Sequence, residues 1–157
     1  MSLLNTFHWF EATGIGTYGR RSTYFFPSVE VVHLLGLTLL LGTVLVLNLR
    51  LLGAIMPRQS ISEIARATTP VLWTGVALAV GSGSLLFLAE AIKCYYNVAF
   101  WYKMGLLISA AVFQLVVHQK LKAAASGPST GFTKGTAAIS LLLWFGVAVA
   151  GRAIAFV

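Results

Sequence analysis

Four long stretches without Asp, Glu, Lys or Arg constrain this chain more than any other feature of its sequence. They cover residues 31–49, 67–89, 104–119 and 135–151, and a charged residue bounds each of them on both sides. A helix needs about 20 mostly apolar residues to cross the hydrocarbon core of a bilayer. The two shorter stretches reach that length when their flanking lysines and arginines extend toward the headgroups. The sequence therefore predicts four membrane-spanning segments.

The composition supports the same interpretation. Of the 157 residues, 58% are hydrophobic and 10% are charged, whereas a soluble domain carries about 25% charged residues. These values exclude a soluble enzyme, a nucleic-acid-binding protein and a disordered chain. The net charge of +7 suits loop ends that face anionic lipid on the cytoplasmic side. Cys94 is the single cysteine, which excludes an internal disulfide and a metal site built from cysteines.

The spanning segments are predicted to be helices. Only helices and closed barrels satisfy the backbone in lipid, and the alternation of apolar and polar residues typical of barrel strands is missing. Pro27 and Pro57 bracket the first helix, Ser62 is the expected N-cap of the second, and residues 126–129 separate the third from the fourth. The predicted limits are 27–56, 62–92, 98–125 and 133–156. The fold class is an all-α integral membrane protein with a four-helix transmembrane bundle.

The predicted domains are an N-terminal interfacial segment, residues 1–26, and a transmembrane domain, residues 27–157. Aromatic residues are mixed with glycines in the first of these. Such a composition favours the membrane interface. We expect this segment to fold back over the outer end of the bundle as a lid.

An internal repeat relates the two halves of the transmembrane domain. Leu72–Ala79 matches Leu143–Ala150 at an offset of 71 residues. An offset of 70 superimposes the first helix on the third and pairs Asn48 with His118 and His33 with Lys103. Two tandem hairpins with the same orientation are related by an axis along the membrane normal. We therefore expect the members of the second pair to face each other across the bundle.

Polar and ionisable side chains inside a span are costly and indicate function. They form two layers in this chain. The outer layer comprises Glu30, His33, Glu90, Lys103 and Arg152, and the inner layer comprises Asn48, Arg50, Gln114, His118 and Lys120. His33 lies roughly 9 Å along its helix from Pro27, which is too deep for a hydrated surface histidine.

A buried imidazole opposite cationic groups suits haem, whose iron binds a neutral imidazole. His33 is then the axial ligand, and Arg152 binds a propionate. Lys103 binds a propionate or serves as the sixth ligand. Gly36 leaves room for the macrocycle or lets two helices pack closely. The alternative for His33 itself is a packed, hydrogen-bonded histidine without a cofactor.

The other two histidines are expected to lie apart from this layer. His118 lies about 20 Å from His33 in depth, so it serves a second haem or metal or forms a hydrated helix end. His8, in the N-terminal segment, could cap the coordination position opposite His33 and is a further candidate metal ligand. One haem b, or two if His118 also binds one, is the expected cofactor content.

The first span carries a family resemblance. Val32-His33-Leu34-Leu35-Gly36, followed by Gly42 and Leu49-Arg50-Leu51-Leu52-Gly53, resembles a family of small bacterial four-span membrane proteins of uncharacterised function. Ala150-Gly151-Arg152 is similar to the ending of the same family. More distantly, the chain is similar to HemJ-type protoporphyrinogen oxidases and CopD-like copper-resistance domains.

HemJ-type proteins carry a histidine in the first span and a lysine after an aromatic residue in a later span. His33 and Lys103, within Phe100-Trp101-Tyr102-Lys103, match this pattern, and His118 falls where such proteins carry a further histidine. The resemblance implies a bundle that binds b-type haem at His33. Leu47-Asn48-Leu49-Arg50-Leu51 replaces the Tyr-Leu-Pro-Arg-Leu signature of HemJ proteins, so the resemblance supports haem binding more than porphyrinogen oxidation.

The expected function is electron transfer by a haem-b membrane oxidoreductase that uses a quinol or a porphyrinogen-type substrate. The alternatives are a CopD-like copper-handling protein, in which His8 and His33 bind the metal, and a structural subunit. Expected partners are the bilayer, a quinone or a periplasmic redox protein, and a second copy of the chain in a homo-oligomer. Basic residues of the short loops favour the bacterial inner membrane with both termini in the periplasm.

Overall fold

The computed structural model describes residues 3–56, 58–123, 130–154 and 156, and it contains helices and no strand in these residues. The helices are α1 (Leu3–Glu11), α2 (Gly14–Arg21), α3 (Phe25–Leu51), α4 (Ile61–Ala89), α5 (Ala91–Tyr96), α6 (Val98–Ala123) and α7 (Thr130–Ala153). Four segments are long and apolar enough to cross a membrane: Phe25–Leu51, Ile61–Ala89, Val98–Leu121 and Thr133–Ala153. The prediction of an all-α protein with four membrane-spanning helices is confirmed.

The spanning helices form two hairpins. Helix α3 packs along α4, and α6 packs along α7. Contacts of α3 with α7 and of α4 with α6 join the hairpins. Consequently α3 and α6 occupy opposite corners of the bundle, and so do α4 and α7.

Glycines set the distance between α3 and α4. A Cβ atom on Gly36 would lie 2.6 Å from the backbone nitrogen of Ala79, and one on Gly75 would lie 2.7 Å from that of Leu40. Small residues allow this close approach, which is the usual way for helices to associate in lipid. The structure therefore places Gly36 in the contact between two helix backbones, as the packing alternative for this residue expects.

Two apolar clusters fill the middle and the inner part of the bundle. The middle cluster contains Leu40, Val44, Leu72, Ala110, Trp144 and Val147. The inner cluster contains Leu47, Leu51, Ile64, Ala65, Val117, Leu121 and Ala137. Every helix of the bundle contributes to both clusters. Among the described residues, both clusters lie on the inner side of His33, so the outer part of the interior is built differently.

The first spanning helix ends earlier than predicted. It ends at Leu51 rather than near residue 56, because Gly53 adopts a left-handed conformation with φ of +79°. The backbone nitrogen of Gly53 donates to Arg50 O at 3.0 Å, and that of Ala54 donates to Leu49 O at 2.9 Å. These two bonds form a Schellman motif. The leucines around Gly53 favour a helical conformation, so the sequence pattern did not indicate that the helix ends here.

Other helix ends also differ from the predictions. Ser60 rather than Ser62 caps α4, in a capping box with Glu63. Helix α4 stops at Ala89, and α5 follows as a separate helix, where one helix to residue 92 was predicted. Helix α7 begins at Thr130 and ends at Ala153, against the predicted 133–156. The predicted break at residues 126–129, the predicted end of the third helix at residue 125, and Pro57 lie outside the described residues.

The N-terminal segment forms a helical hairpin that packs against the outer ends of α4 and α5. Arg20 pairs with Glu11 at 3.0 Å and donates to the carbonyl of Ala89 at 3.3 Å. The second carboxylate oxygen of Glu11 accepts a hydrogen bond from the backbone nitrogen of Ile92 at 2.9 Å. This charged contact occupies the carbonyl at the end of α4 and the first turn of α5. It explains why the two helices are separate.

Aromatic side chains complete the contact of the N-terminal hairpin. Phe7, the buried residue of α1, lies with its ring centroid 5.4 Å from that of Phe87 and 5.2 Å from that of Tyr95. Trp101 closes the group at 5.9 Å. The segment thus packs on the α4–α5 corner of the bundle, and its role as a lid stays a prediction.

Candidate functional site

His33 lies two turns into α3 and contacts α4. Its Nδ1 atom is 3.1 Å from Ser82 Oγ, and Ser82 in turn donates its hydroxyl proton to Leu78 O. Because that proton is already used, the hydroxyl oxygen accepts a hydrogen bond from Nδ1–H. A neutral ring with its proton on Nδ1 carries a lone pair on Nε2, the form in which histidine binds a metal.

Glycine makes the position of the His33 ring possible. A Cβ atom on Gly83 would lie 3.1 Å from Cε1 and 3.4 Å from Nδ1 of the ring. The Nδ1–Cε1 edge therefore rests on the backbone of α4. The hydrogen bond to Ser82 and this contact, both on α4, hold the imidazole plane, which is what a ligating histidine requires of its surroundings.

Lys103 reaches the same end of the bundle from the opposite corner. Its Nζ would lie 3.7 Å, and its Cε 3.6 Å, from a Cβ atom on Gly151, so the side chain packs on a bare stretch of α7. Its charge acts on His33 and on Cys94. Among the described residues no carboxylate lies within 4.0 Å of the ammonium group. The structure thus brings the two residues paired by the 70-residue offset together at one end.

Two further charges belong to this end. Arg152 is exposed, and its guanidinium carbon lies 4.7 Å from the centroid of the Phe156 ring. Glu30 is exposed one turn before His33 and acts on it electrostatically. Glu90, which the sequence placed in the same layer, is 3.1 Å from Lys93. The outer layer therefore has a half-buried imidazole and amine in the interior, with charged side chains toward the surface.

Cys94 lies on α5 close to this group. Burial raises the pKa of the Cys94 thiol, and the Glu90 carboxylate adds to the effect, while Lys103 and Lys93 oppose it. A thiol of this kind stays protonated at neutral pH and is a weak nucleophile.

The inner layer is a separate, buried set of hydrogen bonds. Asn48 Nδ2 donates to Ser140 Oγ at 2.9 Å, and Ser140 Oγ donates to Gln114 Oε1 at 3.0 Å. His118 Nε2 lies 3.1 Å from Thr69 Oγ1. Sequence reasoning selected Asn48, Gln114 and His118 but missed Thr69 and Ser140. Thr69 and Ser140 are themselves related by the 71-residue offset of the repeat, and this relation could have indicated both residues.

The three histidines do not meet. The contacts of His33 and His118 on α4, Ser82 and Thr69, are 13 residues apart, or about 20 Å at ~1.5 Å per residue. His8 is exposed on α1. In the part of the chain that the structure describes, no three His, Cys, Asp or Glu side chains are grouped closely enough to hold a metal ion.

The fold and the arrangement of its polar residues define a multi-pass membrane protein built from two hairpins. Residues 6–157 match the model of the family of unknown function DUF6644. The chain belongs to that family. No curated protein and no solved structure matches it.

Proposed function

We propose that this protein binds one b-type haem at the outer end of its bundle and transfers electrons in the membrane. The observation that carries the proposal is the hydrogen bond from His33 Nδ1–H to Ser82, whose own proton goes to Leu78 O. This arrangement leaves the Nε2 lone pair for iron and holds the ring in one orientation. Haem iron accepts a neutral imidazole as its axial ligand.

The surroundings of His33 fit such a group. The middle cluster ends one to two turns inward, and the residues that follow on the neighbouring helices are small, Gly83 against the ring and Gly151 against Lys103. These glycines let the His33 ring and the Lys103 side chain pack directly on the neighbouring helix backbones, so both groups are held at the outer end of the bundle.

The cations suit the two propionates of haem. Lys103 has no carboxylate partner among the described residues, and Arg152 is exposed at the same end of α7. An ammonium group in an apolar interior costs free energy without a counter-charge. A propionate supplies that charge to Lys103, while Arg152 binds the second one at the membrane surface.

The resemblance to HemJ-type proteins agrees with a haem ligand at His33 and a functional lysine at Lys103. We do not extend the proposal to porphyrinogen oxidation, because residues 47–51 lack the signature of that activity. We also propose a single haem. The reason is that His118 is 4% exposed, is hydrogen-bonded to Thr69, and lies about 20 Å from His33 along the bundle axis.

The proposal includes a location in the bacterial inner membrane with both termini in the periplasm. Six basic residues belong to the inner end, in or beside short loops, against five at the outer end. The six are Arg50, Arg58, Arg66, Lys120, Lys122 and Lys134, and the five are Arg20, Arg21, Lys93, Lys103 and Arg152. Short loops rich in Lys and Arg stay in the cytoplasm. His33 and Lys103 then lie under the periplasmic headgroups, within reach of a periplasmic redox partner.

A visible spectrum tests the proposal. The full chain is expressed with sufficient haem, purified in detergent, and measured in the oxidised and the dithionite-reduced form. We expect a Soret band and reduced α and β bands, and we expect the His33→Ala variant to lose them. The His8→Ala variant is the matched control, because His8 is exposed on α1, and it keeps the full haem content. A wild-type protein without a Soret band, or a His33→Ala variant with full haem content, overturns the proposal.

A further inference from the structure

Each hairpin carries an apolar groove on its outer half. The groove between α3 and α4 has a volume of about 280 Å³, and its lining includes Ser28, Val29 and Val32 on α3 and Ala77, Gly81 and Ser82 on α4. The groove between α6 and α7 has a volume of about 410 Å³. Of the 16 lining residues, seven are exposed, eight are partly exposed and Ser82 is buried, so both grooves open toward the surrounding lipid.

The internal repeat relates the two grooves. Several lining positions of the first correspond to lining positions of the second at the same offsets of 70 and 71 residues. The corresponding pairs are Val29 and Ala99, Val32 and Tyr102, Leu78 and Val149, and Ser82 and Ala153. The grooves differ in chemistry, because the first has two serines and the second has none in its lining.

Ser82 connects the first groove to the candidate site. Its side chain is both part of the groove and the hydrogen-bond partner of His33. A molecule in this groove is therefore separated from the imidazole by one side chain. Nothing comparable joins the second groove to a histidine among the described residues.

We propose that the α3–α4 groove binds the head of a membrane-dissolved isoprenoid quinone or its hydroquinone. The Ser28 hydroxyl can donate to one oxygen of such a head. Ser82 Oγ, whose own proton goes to Leu78 O, can accept a hydrogen bond from the other oxygen when the head is the hydroquinone. The ring and the tail match the apolar remainder. The lining contains no charged residue, which disfavours a phospholipid headgroup and suits an uncharged one. The choice of a redox-active lipid rests on the proposed function.

Photoaffinity labelling tests the site directly. Protein in nanodiscs of phosphatidylethanolamine and phosphatidylglycerol is irradiated with an azido-quinone that has a decyl tail, and the labelled peptides are identified by mass spectrometry. We expect labels on the α3 and α4 residues of the first groove, with competition by unlabelled decylquinone. A label confined to the second groove, or one that decylquinone fails to displace, overturns the proposal.

Two glycine variants supply the matched comparison. A Cβ atom meets nothing within 4 Å at either Gly81 or Gly105, so neither substitution disturbs the packing of the bundle. Gly81→Leu fills the first groove and lowers labelling by roughly tenfold or more. Gly105→Leu, exposed on α6, leaves labelling unchanged. Equal labelling of the two variants overturns the proposal.

The spectrum of the same samples separates this proposal from the preceding one. Haem binding without quinone labelling removes the groove proposal and leaves the haem. Specific labelling of a protein without a Soret band supports the groove as a quinone site and removes the haem. Haem binding is measured by absorption and quinone binding by mass spectrometry, so failure of one proposal can be distinguished from failure of the other.

Discussion

Asn48 on α3 donates a hydrogen bond of 2.9 Å to Ser140 on α7. The two residues that the repeat relates to this pair, at offsets of 70 and 71, also form a hydrogen-bonded pair. Asn48 maps onto His118 and Ser140 maps onto Thr69, and these two residues are also joined, at 3.1 Å. Both bonds run from one hairpin to the other. The repeat therefore survives in the polar contacts that assemble the bundle, although the residue types have diverged.

These bonds predict a measurable coupling between the hairpins. Asn48 and Ser140 are each 1% exposed, so no water replaces a lost partner. In a double-mutant cycle with Asn48→Ala and Ser140→Ala, we expect a coupling of about 0.6 kcal/mol and at most about 1.7 kcal/mol, the range known for bonds between spanning helices. Unfolding in mixed micelles measures it.

Pairing Asn48→Ala with Ser84→Ala gives the control cycle. Ser84 is exposed, and its hydroxyl bonds, among the described residues, to the carbonyl of Val80 within its own helix. Its coupling to Asn48 is expected to be zero within error. A coupling of zero for Asn48 and Ser140 as well would show that the bond does not join the hairpins energetically.

The fold could be predicted because its strongest determinants are local in the sequence. The stretches without charged residues predicted the four spans, and the internal repeat predicted that the spans pair as two hairpins. The end of α3 at Leu51 was missed because Leu-Arg-Leu-Leu continues the helical pattern up to Gly53. The break at Glu90 was also missed, because it depends on Arg20 and Glu11, distant in sequence.

The site could be predicted only in part for the same reason. His33 and Lys103 stand out as ionisable residues inside spans, and the offset placed them opposite each other. Ser82, which fixes the ring of His33, is one of several serines in α4 and is 49 residues away. Only the rotation of α4 against α3, set by packing at Gly36 and Gly75, selects it.

The α3–α4 contact predicts a large difference between two glycines of α3. Gly36→Val places side-chain atoms against the backbone of Ala79, where even a Cβ atom would be at 2.6 Å. Overpacking of this kind costs about 1–3 kcal/mol of the free energy of unfolding. At Gly42 a Cβ atom meets nothing within 4 Å, so Gly42→Val changes stability by about 0.5 kcal/mol or less. Equal effects in thermal unfolding in detergent would contradict the close contact.

The raised pKa of Cys94 predicts the pH dependence of its alkylation. Only the thiolate reacts, so iodoacetamide modifies this thiol more slowly at pH 7.5 than it modifies free cysteine. The rate rises about tenfold per pH unit until the pH passes the raised pKa. At a pH below the pKa of Cys94, a substitution that lowers this pKa increases the rate of alkylation.

Glu90→Gln is such a substitution, because the Glu90 carboxylate raises the pKa of the thiol. We expect faster alkylation of this variant at pH 8, measured by mass spectrometry over time. Glu30→Gln serves as the control, since Glu30 is at the same end of the bundle and is not among the groups that act on Cys94. A slower reaction of the Glu90→Gln protein would contradict the arrangement.

The charged contact of the N-terminal hairpin predicts its local stability. Arg20→Ala removes the ion pair with Glu11 and the bond to Ala89 O. Since the Arg20 side chain is partly exposed, we expect a loss of about 1 kcal/mol, which speeds hydrogen exchange in residues 3–21 about fivefold. Arg21→Ala removes one positive charge, as Arg20→Ala does, at an exposed neighbouring position, and we expect it to leave hydrogen exchange unaltered. Equal exchange in the two variants would show that the pair does not hold the lid.

The bond between His33 and Ser82 makes the most specific prediction for the proposed haem site. Ser82→Ala leaves Nδ1–H without its acceptor, so the ring loses an anchor and donates less electron density through Nε2. Removing such a partner of a ligating histidine costs about 10–100-fold in affinity. We therefore expect haem titration to show this loss in Ser82→Ala, with a Soret band still formed at saturation. Ser84→Ala, two residues along the same helix and exposed, keeps the wild-type affinity. If Ser82→Ala also binds haem as the wild type does, then His33 is not oriented through this hydroxyl, and the iron takes its ligand from elsewhere.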